Sequence, residues 1–248
     1  MPINILDILI LSTLAGLATG LGGFLVVIRK TGAGTLGFLM GFAAGIMIML
    51  SFLQLLSNAI SIAGIATAAT GFMSGALVMF FLDFALPHRF FKTDERGLIK
   101  PGLLKSGVLI AIGISLHNLP EGIAVATGYS YLPTLGIAIA AAMALHNIPE
   151  GMAIALPSYM GGASRSTAVK LALVSGLVEP LGALFASVFL ISLPYIVPFG
   201  LAFAGGVMVF VTLDELIPVA HKHGHEHYTT LGVIIGCAAM FAILGFFG

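Results

Sequence analysis

Two stretches of this 248-residue chain repeat one piece of chemistry: SLHNLPEGIAVA from Ser115 and ALHNIPEGMAIA from Ala144. Each carries a histidine and a glutamate four positions apart, His117 with Glu121 and His146 with Glu150. On a helix that spacing puts imidazole and carboxylate on one face. Two such faces set against each other make a His2Glu2 shell. Zinc takes tetrahedral nitrogen and oxygen donors of this kind, and iron(II), manganese and cobalt accept similar donors at higher coordination. Asn118 and Asn147, one position on, add amide oxygens that suit a second or a hydrated ion. Pro120 and Pro149 lack an N–H, which frees the carbonyls of Leu116 and Leu145 and predicts a kink. A freed carbonyl is tolerated at membrane depth where it lines a cavity. Gly122 and Gly151 let neighbouring helices come close. A proline-kinked helix with an interhelical His–Glu hydrogen bond would account for one such motif, but its duplication at matched positions favours a ligand set.

Other candidates stand alone. Glu179 precedes Pro180 in an otherwise apolar stretch and is the best fifth ligand, with a proton-bearing or packing role as the alternative. Asp214 and Glu215, and Gln54 in a related stretch, suit an access or exit route, or plain structural hydrogen bonding. The run HKHGHEH places His221, His223, His225 and His227 in an expected loop, where alternating histidines capture metal weakly or simply face water. His88, beside Pro87, reads as interfacial, and the scattered methionines as core fillers. The single cysteine, Cys237, excludes an intrachain disulfide and a thiolate cluster.

The elements that must hold these residues are membrane helices. Hydrophobic residues make up 59% of the chain and charged ones 8%, against about 25% charged in an ordinary soluble domain. A bilayer-spanning helix needs about 20 apolar residues. Breaks at charged, Gly and Pro clusters predict one all-α transmembrane domain over 1–248, with eight helices near 5–28, 35–60, 64–87, 104–128, 134–158, 167–193, 195–220 and 229–247. The N-terminal stretch has no basic residue before its apolar run and reads as a retained first helix, not a signal peptide. All ten basic residues (Arg29, Lys30, Arg89, Lys92, Arg96, Lys100, Lys105, Arg165, Lys170 and Lys222) fall around the loops after helices one, three, five and seven. Lysine and arginine mark the cytoplasmic side, so both termini are expected outside it.

The repeats go beyond the two motifs. FAAGIMIMLSFLQLL from Phe42 echoes FAGGVMVFVTLDELI from Phe203, and LATGLGGF from Leu17 echoes LVEPLGAL from Leu177, which sets Glu179 against Thr19. With eight spans, the paired helices run in opposite directions. Inverted repeats around a midplane site characterise secondary transporters. Glu121, Glu150, Glu179, Asp214 and Glu215 lie in apolar helices with no lysine or arginine at their depth. Each ionised side chain at midplane costs about 2.5–3.5 kcal/mol, so these carboxylates must face the interior, where cations or protons neutralise them.

HNLPEG, HNIPEG, the Glu-Pro at 179–180 and DELIP from Asp214 resemble the ZIP (Zrt/Irt-like) metal transporters, and FAAGIMIMLSF with the short loops resembles their bacterial broad-specificity branch. The resemblance spans essentially the whole chain. It implies eight helices arranged as three, two and three, a metal path among helices one, four, five and six, and import of divalent metal into the cytoplasm without ATP. The bound metal is then transported substrate, with no catalytic residue and no resident cofactor. His117, Glu121, His146 and Glu150 match one metal position of the family. Asn118, Asn147 and Glu179 match the adjoining one, which shares both glutamates. An elevator-like slide, a homodimer in the cell membrane, and cadmium among the accepted ions are also implied. Nucleic acid is not expected as a partner. The branch usually shows Glu and a following Pro where this chain has Gln54 and Ser57, and some members carry Asp at the position of Asn147. The rival readings are a membrane di-metal enzyme and a metal sensor without transport. Di-iron bundles use Glu-x-x-His spacing, intramembrane zinc proteases use H-E-x-x-H, and this chain has neither. Only metal flux separates transporter from sensor.

Overall fold

The computed structural model describes residues 4–28, 32–85, 102–223 and 226–247. They are almost entirely helical, with no strand among them. The helices are α1 (Ile5–Ile28), α2 (Ala33–Met49), α3 (Ser57–Ala85), α4 (Gly102–Tyr131), α5 (Pro133–Met160), α6 (Arg165–Gly176), α7 (Glu179–Ser192), α8 (Val197–Val211), α9 (Ile217–His223) and α10 (Glu226–Phe247). Among the described residues six segments are long and apolar enough to cross a bilayer, one of them the 51-residue Gly34–Phe84. That segment turns at Gly64, whose φ of 77° and ψ of 169° are open only to glycine at low cost.

The expected second helix does not stop near residue 60. It passes through a π-helical stretch, Leu50–Leu56, and stays helical to the turn at Gly64. The expected sixth helix is broken at Leu177–Val178, so Glu179 heads the first turn of α7 with Pro180 behind it. A proline there removes no helical hydrogen bond, because the first-turn N–H groups have no partner within the helix. The seventh carries a second π-helical stretch, Thr212–Leu216. The HKHGHEH run is mostly helix rather than loop: His221 and His223 end α9, and His227 lies in the first turn of α10. Arg29, Lys30, His88, Arg89, Lys92, Arg96, Lys100 and His225 lie outside the described residues, as do the side chains of Lys105 and Lys222.

Large apolar side chains point outward, among them Leu6, Ile65, Phe81, Phe84 and Phe185, while the core is built from alanine, methionine and a few aliphatics. Small residues at the seams suit helices packing in lipid, where close van der Waals contact replaces the hydrophobic drive. The closest seams form two sets. In one, α1 packs on α5 and α6, and α4 packs on α7. A Cβ at Gly122 would lie 1.8 Å from the Glu179 carbonyl oxygen, and a Cβ at Gly151 would lie 1.8 Å from that of Thr19. Gly16 and Gly176 face each other, and a Cβ on either would lie 2.1–2.2 Å from the other's carbonyl oxygen. In the second set α2 packs on α10 and α3 on α8, with Gly45 against Val233 and Gly206 against Phe72.

These contacts obey the repeats. Gly122 with Glu179 maps onto Gly151 with Thr19, and Gly16 maps onto Gly176, its own neighbour, so the pseudo-two-fold passes between them. Gly45–Val233 maps in the same way onto Gly206–Phe72. That extends the repeat to a pair the sequence reading left unmatched: GFMSGALVMF from Gly71 in α3 and GVIIGCAAMF from Gly232 in α10. The π-helical stretches also correspond. Ser51 Oγ donates to the Met47 carbonyl at 2.7 Å, and its counterpart Thr212 Oγ1 donates to the Met208 carbonyl at 2.7 Å.

Candidate metal centre

The two HN-x-PEG motifs sit on α4 and α5, which run continuously through Pro120 and Pro149. His117, Asn118, Glu121, His146, Asn147, Glu150 and Glu179 are all buried. Three come together: ligand atoms of Glu121, His146 and Glu150 lie within 4.8 Å of one another. With bonds of about 2.0–2.2 Å, one ion reaches all three after a modest tightening of rotamers. His146 Nε2 is 3.0 Å from Glu121 Oε1, and its Nδ1 is 3.2 Å from the Ala142 carbonyl. A backbone carbonyl on Nδ1 fixes ring orientation and leaves Nε2 to bond inward, the usual arrangement behind a ligating histidine.

His117 stands apart from this group. Its Nε2 is 3.1 Å from Glu215 Oε1 in the second π-helical stretch, where the Glu215 side chain is partly open. One histidine thus faces the carboxylate pair and the other faces across the seam.

The asparagines follow the pseudo-two-fold closely. Asn118 Nδ2 donates to the Ser175 carbonyl at 2.8 Å, and Asn147 Nδ2 donates to the repeat-equivalent Ala15 carbonyl at 2.9 Å. Asn147 Nδ2 also lies 2.9 Å from Glu179 Oε2. With both nitrogens committed to backbone, the amide oxygens are turned the other way. Asn118 Oδ1, Asn147 Oδ1, Glu121 Oε2, Glu150 Oε2, Glu179 Oε1 and Thr19 Oγ1 are buried with no hydrogen-bond partner. Leaving such a group unpaired costs about 1–3 kcal/mol, more for a charged one. The orphans are all oxygens, five of them unable to donate if the carboxyls are ionised. A cation satisfies such a set at once, whereas an anion or an apolar ligand does not.

Glu179 gains from its place as well. At the head of α7 its charge meets the positive end of the helix dipole, which accounts for an acidic residue at a helix break. Thr19 was legible only as its repeat counterpart, and nothing in the sequence marked it as a member of the site. Glu215 was visible as an intramembrane carboxylate, but its partner was not.

Comparison with known proteins shows the family of the chain. Residues 92–244 match the family model described as ZIP zinc transporter. The chain is 38% identical to zinc transporter ZupT of Akkermansia muciniphila, over 97% of each chain. It is 39% identical to zinc transporter ZupT of Lysinibacillus sphaericus, over 96% of each. It is 42% identical to zinc transporter ZTP29 of Arabidopsis thaliana, over 95% of this chain and 92% of that one. A multi-pass helical protein with a buried His/Glu cluster and relatives along nearly its whole length, this chain belongs to the ZIP family of zinc transporters, for which metal is cargo and not a cofactor.

Proposed function

We propose that the chain imports zinc, and with it iron(II), manganese, cobalt and cadmium, into the cytoplasm through the site formed by His117, Asn118, Glu121, His146, Asn147, Glu150 and Glu179. The observation that carries this is the set of six partnerless buried oxygens beside the Glu121–His146–Glu150 cluster. The donor set explains the breadth: imidazole and carboxylate suit zinc, while added amide oxygens suit harder ions with larger shells. Glu121, His146 and Glu150 take the ion first, and Asn118, Asn147 and Glu179 offer the adjoining place. Binding must stay weak enough for release, which a site of mixed carboxylate and amide oxygens allows.

Counting the Gly34–Phe84 segment twice at its Gly64 turn, and adding α4, gives eight spans, arranged three, two and three about the Gly16–Gly176 axis, in one domain over 1–248. Both termini then lie on the extracytoplasmic side of the cell membrane. The two sets of glycine seams support an elevator-type movement. Backbone-to-backbone approaches join α1, α4, α5, α6 and α7 into one body and α2, α3, α8 and α10 into another. Between the bodies, a Cβ at Gly200 of α8 would find the Thr127 side chain nearest, at 3.2 Å. A seam lined by side chains slides more easily than one in which backbones interlock. A homodimer is the assembly proposed.

Reconstitution in liposomes holding a zinc-sensitive dye tests the reading. Native protein should fill them saturably, and Glu121→Ala and His146→Ala should not, with iron(II), manganese and cadmium then ranked as competitors. A membrane sensor or enzyme predicts a small stoichiometric uptake and no accumulation, and that outcome would replace the transporter reading.

A further inference from the structure

The pseudo-two-fold relates His117 to His146 and Glu215 to Gln54, yet the contacts these residues make are not related. His117 Nε2 is 3.1 Å from Glu215 Oε1. The symmetric contact, His146 to Gln54, is not made: His146 is held by Glu121 and the Ala142 carbonyl. Gln54 is occupied within its own helix, where Asn58 Nδ2 donates to its backbone oxygen at 2.7 Å and to its Oε1 at 3.2 Å. The rest of the symmetry is kept closely, down to the paired asparagine–carbonyl bonds and the paired π-helical hydroxyls. The departure therefore centres on the two histidines and their partners, beside one further difference, the Asn147–Glu179 bond that has no counterpart at Thr19.

His117 belongs to the body that carries the ion site, and Glu215 to the other body, so their contact exists at only one end of a sliding movement. By the pseudo-two-fold, the other end would bring His146 toward residue 54. There the chain offers an amide already engaged with Asn58, not a carboxylate. A charge-assisted hydrogen bond is about twice as strong as a neutral one, so the two end states are not held equally.

We infer that Glu215 is a positioning residue that latches the present end state by drawing His117 out of the ligand set, and that Gln54 leaves the opposite end state without a latch. It follows that the two histidines of the repeated motif differ in role: His146 stays with the ion during the movement, and His117 is the ligand that leaves. The inference rests on the sliding reading above.

The test is a distance measurement between spin labels on the two bodies. Ile62 and Tyr131 are suitable sites, 39% and 44% exposed, in a Cys237→Ser background. Metal-free protein should show one dominant distance. Glu215→Gln should raise the population at the second distance about tenfold, the scale set by loss of one charge-assisted hydrogen bond, and Glu215→Asp should restore much of the original ratio. Gln54→Glu should also raise the second population, and the double variant Gln54→Glu/Glu215→Gln should make it dominant. A structural role for Glu215 would lower melting temperature without moving the distances. If zinc shifts the native distribution but Glu215→Gln leaves the metal-free one unchanged, the latch is wrong and the sliding reading stands. If neither zinc nor any variant moves it while transport continues, both are wrong.

Discussion

Asn147 donates to Glu179 Oε2 at 2.9 Å, and the same nitrogen lies 2.9 Å from the Ala15 carbonyl. One amide thereby ties α5 to the first turn of α7 and to α1, and leaves its own oxygen buried without a hydrogen-bond partner. Asn147→Asp removes both donated bonds and sets a second carboxylate beside Glu179. A hydrogen bond to a charged group contributes about 1.5–3 kcal/mol, so the metal-free variant should melt at least several degrees lower. Its stabilisation by zinc should be larger than that of the native chain, because the added charge favours the bound cation. Paired melting curves with and without zinc check both signs.

Gly122 and Gly151 separate close packing from helix propensity. A Cβ at either meets a backbone carbonyl oxygen at 1.8 Å, whereas one at Gly113 meets nothing within 4 Å. Gly122→Ala and Gly151→Ala should each destabilise by roughly 3 kcal/mol or more and abolish zinc uptake, since overpacking against backbone relaxes poorly. Gly113→Ala should be neutral or slightly stabilising. Thermal unfolding of detergent-solubilised protein distinguishes the two sites, and equal effects at Gly113 and Gly122 would refute the packing argument.

At Gly64 the expectation is different in kind. A Cβ there has open space, but the φ of 77° disfavours every L side chain. Gly64→Ala should cost about 1–3 kcal/mol from backbone conformation alone. The protein should still fold and transport zinc at near-native KM, with a lower melting temperature.

Tyr129 donates its hydroxyl proton to Asp7 Oδ2 at 2.6 Å, and Asn4 Nδ2 donates to the same oxygen at 2.7 Å. The contact pins the start of α1 to the end of α4, about two helical turns beyond Glu121. Tyr129→Phe should cost about 1 kcal/mol or less, because both groups are partly open to solvent. Zinc uptake in liposomes should be unchanged. A large loss of transport would show that this end of α4 takes part in the movement.

By itself the sequence determined the membrane class, the bounds of most helices to within a few residues, the repeated motif on α4 and α5, and the buried His and Glu residues that include the Glu121–His146–Glu150 cluster. These are legible because lipid leaves few alternatives: apolar length fixes a span, and an ionisable residue inside one must have a buried purpose. Only tertiary structure decided that α6 and α7 part at Leu177–Val178 to place Glu179 on a helix terminus, and that two π-helical stretches sit at matched places. It also decided that His117 turns to Glu215 while His146 turns to Glu121. The sequence treats the two motifs as equals, since the residues are the same. Their difference arises from what each faces across a seam, and a one-dimensional repeat carries no information about which partner is within 3 Å.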